Sequence, residues 1–314
     1  NGGIGCGKFG PSAFVTVDDL LDHMDAMGVA CSLTWQLEAQ DWNAGLGNAM
    51  LMGAIKNNPR AQGRIIPSAV VNPETAYDAD AVKKLRNQLE NKEIGALRIC
   101  PAPSGYAVGQ LWTLMKQLDD LAPVLVWSLR AVGPSDRGDM AELLDTYPLM
   151  KLICTEAMWS DQKYLYDLMS RSDRVYADIS WLHVNGAISA LIKRFGAERV
   201  VFGLGHKTHH AAAIAACAHA VISDEDRAKI THQNSIALLG LKADCCDKPM
   251  QAFDDKPLCK KFLAGKAMPA ELDIIDAHAH CGFGSGNHYI YHVDPHHTLE
   301  HIIATMDRMG IAQT

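Results

Sequence analysis

Two histidines separated by one residue, His278 and His280 in the stretch IIDAHAHCG, have the clearest metal-binding spacing in this chain. On a β-strand, residues i and i+2 point to the same face. Two neutral imidazoles so placed can each give a nitrogen to a divalent metal at about 2.0–2.1 Å. The alternative is a pair of histidines in a solvated turn. Seven of the 14 histidines fall between His278 and His301, and Tyr289, Tyr291 and His292 suit a loop that rims a substrate site. Earlier in the chain, Arg98, Glu156, Asp178, His183 and His206 end or follow apolar runs. Arg98 suits a carboxylate ligand or a buried ion pair with Glu156 or Asp178. The cluster His206, His209 and His210 reads as a solvated loop or as a second metal site.

These residues need elements to hold them, and the chain supplies a regular series. Near-continuous apolar runs occupy 30–36, 64–73, 94–101, 122–130, 150–157, 174–183 and 199–205, the pattern of strands buried on both faces in a parallel sheet. Amphipathic segments lie between most of them: VDDLLDHMDAMG, AVKKLRNQLENK, GQLWTLMKQLDDL, MAELLDTYP, DQKYLYDLMSR and GAISALIKRFG. After the last strand come AAAIAACAHAVI and a second helix that opens at SDEDRAKI, acidic where the helix dipole favours it. Strict βα alternation over about 240 residues predicts a closed (β/α)₈ TIM barrel, of class α/β. The eighth strand is expected before Gly7, in a clipped N-terminal stretch. A doubly wound sheet is the competitor, but no G-x-G-x-x-G follows the first full strand.

The pattern breaks over 243–271, a polar, lysine-rich stretch with three prolines; it reads as a linker, with room for one short helix. It then restarts over 272–314. VDDLLDHMDAMGVACS (17–32) and LEHIIATMDRMGIAQT (299–314) coincide at Met24/Met306, Asp25/Asp307, Met27/Met309, Gly28/Gly310 and Ala30/Ala312. Upstream, NGGIGCG (1–7) aligns with DAHAHCG (276–282), placing Gly3 and Gly5 opposite His278 and His280. Two ordered matches one barrel-length apart predict a duplication. In a rival arrangement the C-terminal segment folds back to complete the first barrel.

IIDAHAHCG resembles the opening strand of the amidohydrolase superfamily, in its branch of metal-dependent hydrolases and decarboxylases. The resemblance extends to NAGLGNAMLMGAIKNNPRAQGRIIPSAVVNP and to ERVVFG, DEDRAKI and NSIALLGL near residue 240. It implies a metal held by the first-strand pair, by histidines ending the fifth and sixth strands, and by an aspartate after the eighth. Carried over to residues 1–242, those positions hold Gly3, Gly5, Trp127, Glu156 and Gly205, so no metal is expected in that copy. In the second copy His278 and His280 match, and further ligands are expected beyond Thr314.

The resemblance thus implies metal-dependent hydrolysis of a small organic substrate, with zinc the first choice of metal and the second copy as the catalytic one. Decarboxylation by the same branch, or a metal-free binding or structural barrel, are the alternatives. Bulk properties fit a globular protein: 48% hydrophobic and 21% charged residues among 314. A net charge of −7 gives no reason to expect nucleic acid or an acidic membrane as partner, and no apolar run approaches the roughly 20 residues of a membrane span. Nine scattered cysteines read as reduced thiols in a cytoplasmic protein, with Cys245–Cys246 the one reactive candidate. A homo-oligomer is compatible with all of this.

Overall fold

A computed structural model of the chain describes residues 2–130, 132–158, 161–182, 186–205, 210–241, 254, 257–268, 274–275 and 299–313. Eight strands form one parallel sheet in sequential order: β1 Gly2–Ile4, β2 Ser32–Gln36, β3 Ile65–Val71, β4 Ala96–Ile99, β5 Val124–Ser128, β6 Lys151–Thr155, β7 Val175–Asp178 and β8 Val200–Val201. All seven expected strands are present, shortened at their ends. The eighth, expected before Gly7, is β1, which pairs Gly2 with Thr34 and Ile4 with Gln36. The sheet curls as a barrel wall does. Gly2 and Gly3 on one edge and Phe202 and Gly203 beyond the other line the same cavity.

Period-two alternation sorts the side chains. Leu97, Leu125, Leu152 and Val175 turn outward into the main core, where each is fully buried under the helices. Ala96, Val124, Val126, Ile153 and Val201 fill the inner face, with Leu238 among them. The next inward positions along the strands are polar: Arg98, Ser128, Thr155 and Asp178. The interior is therefore apolar at the amino ends of the strands and polar at their carboxyl ends, as barrel architecture requires of a site-bearing mouth.

The helices follow local signals. In α1 (Val17–Met27) the Thr16 hydroxyl accepts from the Asp19 N–H at 3.1 Å, while Asp19 accepts from the Thr16 N–H at 2.8 Å. This is a reciprocal capping box, and Gly28 at φ 69° ends the helix. Helix α2 (Ala44–Lys56) is absent from the sequence expectation, because its apolar residues run all round and leave no stripe. Leu51 is buried while Leu46 and Met50 face outward. The remaining crossovers are α3 Ala79–Glu90, α4 Trp112–Leu118, α5 Pro134–Thr146, α6 Gln162–Arg171 and α7 Ala187–Phe195. Helix α5 starts six residues ahead of Met140, on a proline suited to a first helical position.

After β8 come α8 (His210–His219) and a helical stretch that begins at Asp224 under a Ser223 cap, passes through a π-helical turn at Lys229–Gln233, and ends at Leu239. In the expected linker, α9 (Pro257–Leu263) packs on α8, with the His219 ring 4.4 Å from that of Phe262. Farther on, β9 (Ile274–Ile275), α10 (Leu299–Met309) and β10 (Ile311–Gln313) form a βαβ unit whose two strands pair in parallel. Among the described residues no helix is long and apolar enough to cross a membrane, and six cysteines stand as free thiols.

Candidate functional site

The carboxyl ends of the strands open into a cavity of about 910 Å³. Its floor is the polar layer already described. Arg98, on β4, is only 4% exposed. Its guanidinium lies over the Trp35 indole at 4.2 Å from the ring centroid, and its charge acts on the Cys100 thiol. Burial pushes that thiol up, against the pull of Arg98. Trp35 reaches this position because Leu33 and Trp35 alternate inward along β2.

Two carboxylates share the floor. Glu156 follows β6 with φ at 56°, a left-handed conformation that residues other than glycine rarely adopt. Its Oε2 accepts a hydrogen bond of 2.6 Å from Ser128 at the end of β5. Asp178 ends β7, 2% exposed, and its Oδ1 accepts from the Ser180 N–H at 2.7 Å. Burial raises its pKa above the usual carboxylate range, the Ser180 hydrogen bonds restrain that rise, and the charge of Glu156 adds to it. Asp178 fits only because residue 203 is glycine, since a β-carbon there would overlap Oδ2.

Of the places where the family resemblance asks for metal ligands, Glu156 faces the cavity, and the other four are filled or facing elsewhere. A β-carbon on Gly3 would lie 2.8 Å from both the Trp35 indole and the Leu37 side chain. One on Gly5, at φ 94°, would overlap Glu38 and lie 2.5 Å from the Gln36 amide. Gln36 and Glu38 are themselves joined at 2.7 Å, and Glu38 also accepts from the Cys6 N–H at 2.9 Å. Trp127, matched by sequence to a fifth-strand ligand, turns outward and packs edge-on to Tyr164 at 6.1 Å; Ser128 holds the inward position instead. Gly205 sits at φ 72°, where a β-carbon would be 3.0 Å from the Ser180 carbonyl oxygen. Among the described residues no group of three His, Cys, Asp or Glu is placed to hold a metal.

Of the residues singled out by sequence, the structure brings Arg98, Glu156 and Asp178 into this one cavity. His183, His206, His209, His278, His280, Tyr289, Tyr291 and His292 lie outside the described residues, as do Cys245 and Cys246; His210 begins α8. Trp35 and Ser128 were missed. Counting alternation along SLTWQ and VLVWS finds both.

A curled eight-stranded parallel sheet with polar groups gathered at the strands' carboxyl ends defines a protein of the TIM-barrel class. The amidohydrolase family model (Amidohydro_2) matches residues 17–241. The chain belongs to the amidohydrolase family. No curated protein matches it. Among solved structures, 2,6-dihydroxybenzoate decarboxylase from Rhizobium is similar at 14% identity and TM-score 0.57, over 72% of this chain and 89% of the other. The 5-carboxyvanillate decarboxylase of Sphingomonas paucimobilis aligns at 14% identity and TM-score 0.54, covering 71% and 82%. That of Novosphingobium aromaticivorans, solved with manganese and 4-hydroxy-3-methoxy-5-nitrobenzoic acid, aligns at 16% and 0.55, covering 71% and 79%. Identities this low show a shared TIM-barrel fold and nothing finer.

Proposed function

We propose that residues 1–242 of this chain form an amidohydrolase-type barrel that holds no metal, joined through 243–271 to the start of a second copy at 272. Metal-dependent chemistry on a small organic substrate belongs to that second copy. The observation that carries the first half is the filling of the Gly3 and Gly5 side-chain spaces by Trp35, Leu37, Gln36 and Glu38. Supporting the second half, α10 has the bounds of α1 displaced by 282 residues (299 − 17) at both ends. Gly28 and Gly310 follow the two helices with φ of 69° and 76°, and both units lead into a strand paired in parallel with an upstream one. Thr298 stands at the offset of the capping Thr16.

His278 and His280 are the pair this reading gives to the metal, zinc in the first instance. A divalent ion held there would polarise a carbonyl or lower the pKa of bound water, which serves hydrolysis. The decarboxylase neighbours favour loss of CO₂ from an aromatic acid as the second reading. The reading also takes the protein to be cytoplasmic, with small molecules as its partners.

Metal analysis of the intact protein tests this. About one equivalent of zinc, manganese or iron per chain is expected, lost in the double variant His278→Ala/His280→Ala. Metal retained by that variant would put the ion in the first barrel and overturn the proposal, as would an intact protein with neither metal nor activity.

A further inference from the structure

One crossover helix lacks the charged outer face that its neighbours have. The exposed positions of α1 include Asp18 and Asp22, those of α3 Lys83 and Glu90, and those of α6 Asp167 and Arg171. Around α2 no charged residue occurs from Asn43 to Ile55, yet Gly45, Leu46, Ala49, Met50 and Ala54 are all exposed. Trp42, just before the helix, is 65% exposed, and Leu46 and Met50 are 62% and 42% exposed. A helix that is apolar all round is ordinarily buried all round. We propose that this face is the contact between two molecules of the chain, packed helix against helix across a twofold axis. The contact goes beyond the metal reading and does not depend on it.

The face offers a partner nothing polar. The Asn43 side chain accepts from the Leu46 N–H at 2.8 Å, and Asn48 is tied to the Val70 carbonyl and N–H at 2.8 and 2.9 Å. A charged or hydrogen-bonding partner surface would lose its water here without replacement, whereas an identical face has little to lose. The chain carries a net charge of −7, so two molecules approach best where neither presents a charge. Shape agrees with this. Leu46, Met50 and Ala54, four apart, form one ridge, with the small residues Gly45 and Ala49 beside it. Trp42 stands at the head of that ridge. In an antiparallel pair with the axis near residue 48, Leu46 meets Met50 of the second molecule and Trp42 covers its Ala54. On the scale of about 150–250 Å² for an aromatic side chain, Trp42 and the exposed parts of α2 come to roughly 500 Å². Two molecules so joined bury roughly 1,000 Å² in all, the size at which an interface of good complementarity holds.

Sedimentation equilibrium of the intact protein is the test. A dimer is expected at about 50 μM. Leu46→Glu sets two like charges against apolar side chains in each dimer and is expected to weaken it at least about a hundredfold. Glutamate three residues after the Asn43 cap suits a capping box, so loss of the helix is not the cause. Met50→Lys is expected to act in the same way, and Lys83→Glu on the outer face of α3 to leave the dimer intact. A dimer untouched by the Leu46 and Met50 variants would place the contact elsewhere and overturn the proposal. A monomeric wild type at that concentration would also overturn it. The face would then belong to a later part of the same chain if Leu46→Glu lowers the melting temperature, and to an unlike protein if it does not.

Discussion

Asp178 illustrates what a single residue costs when it is buried for a purpose other than packing. Its carboxyl is fully enclosed and its pKa is raised, first by burial. Below about pH 3.9, the ordinary aspartate value, folded and unfolded chains both hold the proton and burial carries no ionisation cost. As pH rises the unfolded chain ionises first, so stability falls until the folded pKa is passed. Asp178→Asn keeps the acceptor for the Ser180 N–H and removes the charge. Its melting temperature is expected to fall less than that of the wild type between about pH 4 and about pH 8; equal falls would assign the pH dependence to other groups. Arg98, Glu156 and Asp178 were legible in the sequence because charged residues at the ends of apolar strands stand out. Trp35 and Ser128 were not, since an aromatic or a serine in a strand looks like ordinary packing. Matching Trp127 to a ligand position placed it one residue out of phase, on the helix side of the sheet.

At the scale of elements, two glycines in α2 separate packing from propensity. A β-carbon on Gly47 would overlap the Ala39 backbone, where α2 presses on the short helix Leu37–Asp41. At Gly53 a β-carbon would meet nothing within 4 Å. Alanine is favoured over glycine in a helix interior by about 1 kcal/mol, whereas overpacking costs about 1–3 kcal/mol. Gly53→Ala is expected to stabilise and Gly47→Ala to destabilise, measured by denaturant unfolding. The same sign at both positions would remove the close approach as the cause. Strands and most helices could be read from the sequence because their periods of 2 and 3.6 differ. Helix α2 could not, because its apolar residues surround the axis. Helix α10 is the converse case. It repeats the stripe of α1, yet Ile303 is 47% exposed where its counterpart Leu21 is fully buried. A stripe states which face wants cover, not what covers it.

For the whole molecule, the barrel followed from alternation over some 240 residues, a pattern too long to arise from local preference, and the family from the resemblance of IIDAHAHCG. The division of labour we propose between two copies rests on side chains at a handful of strand ends, and these are also where the fold tolerates change most readily. An apolar interior and helical shell hold the sheet whatever occupies the mouth. That is why the barrel persists with Gly3 and Gly5 where the resemblance asks for histidines.

The sheet is uneven around its circumference. Strand β3 has seven residues, while β1 has three and β8 two, and among the described residues no ladder joins β8 to β1. Cooperative opening starts where few hydrogen bonds must break together. The seam should therefore act as the molecule's first point of unfastening. Amide protons of β4 to β7 are expected to exchange with deuterium only on global unfolding, and those of β1 and β8 orders of magnitude sooner. Uniform protection around the ring would show a barrel that opens all at once.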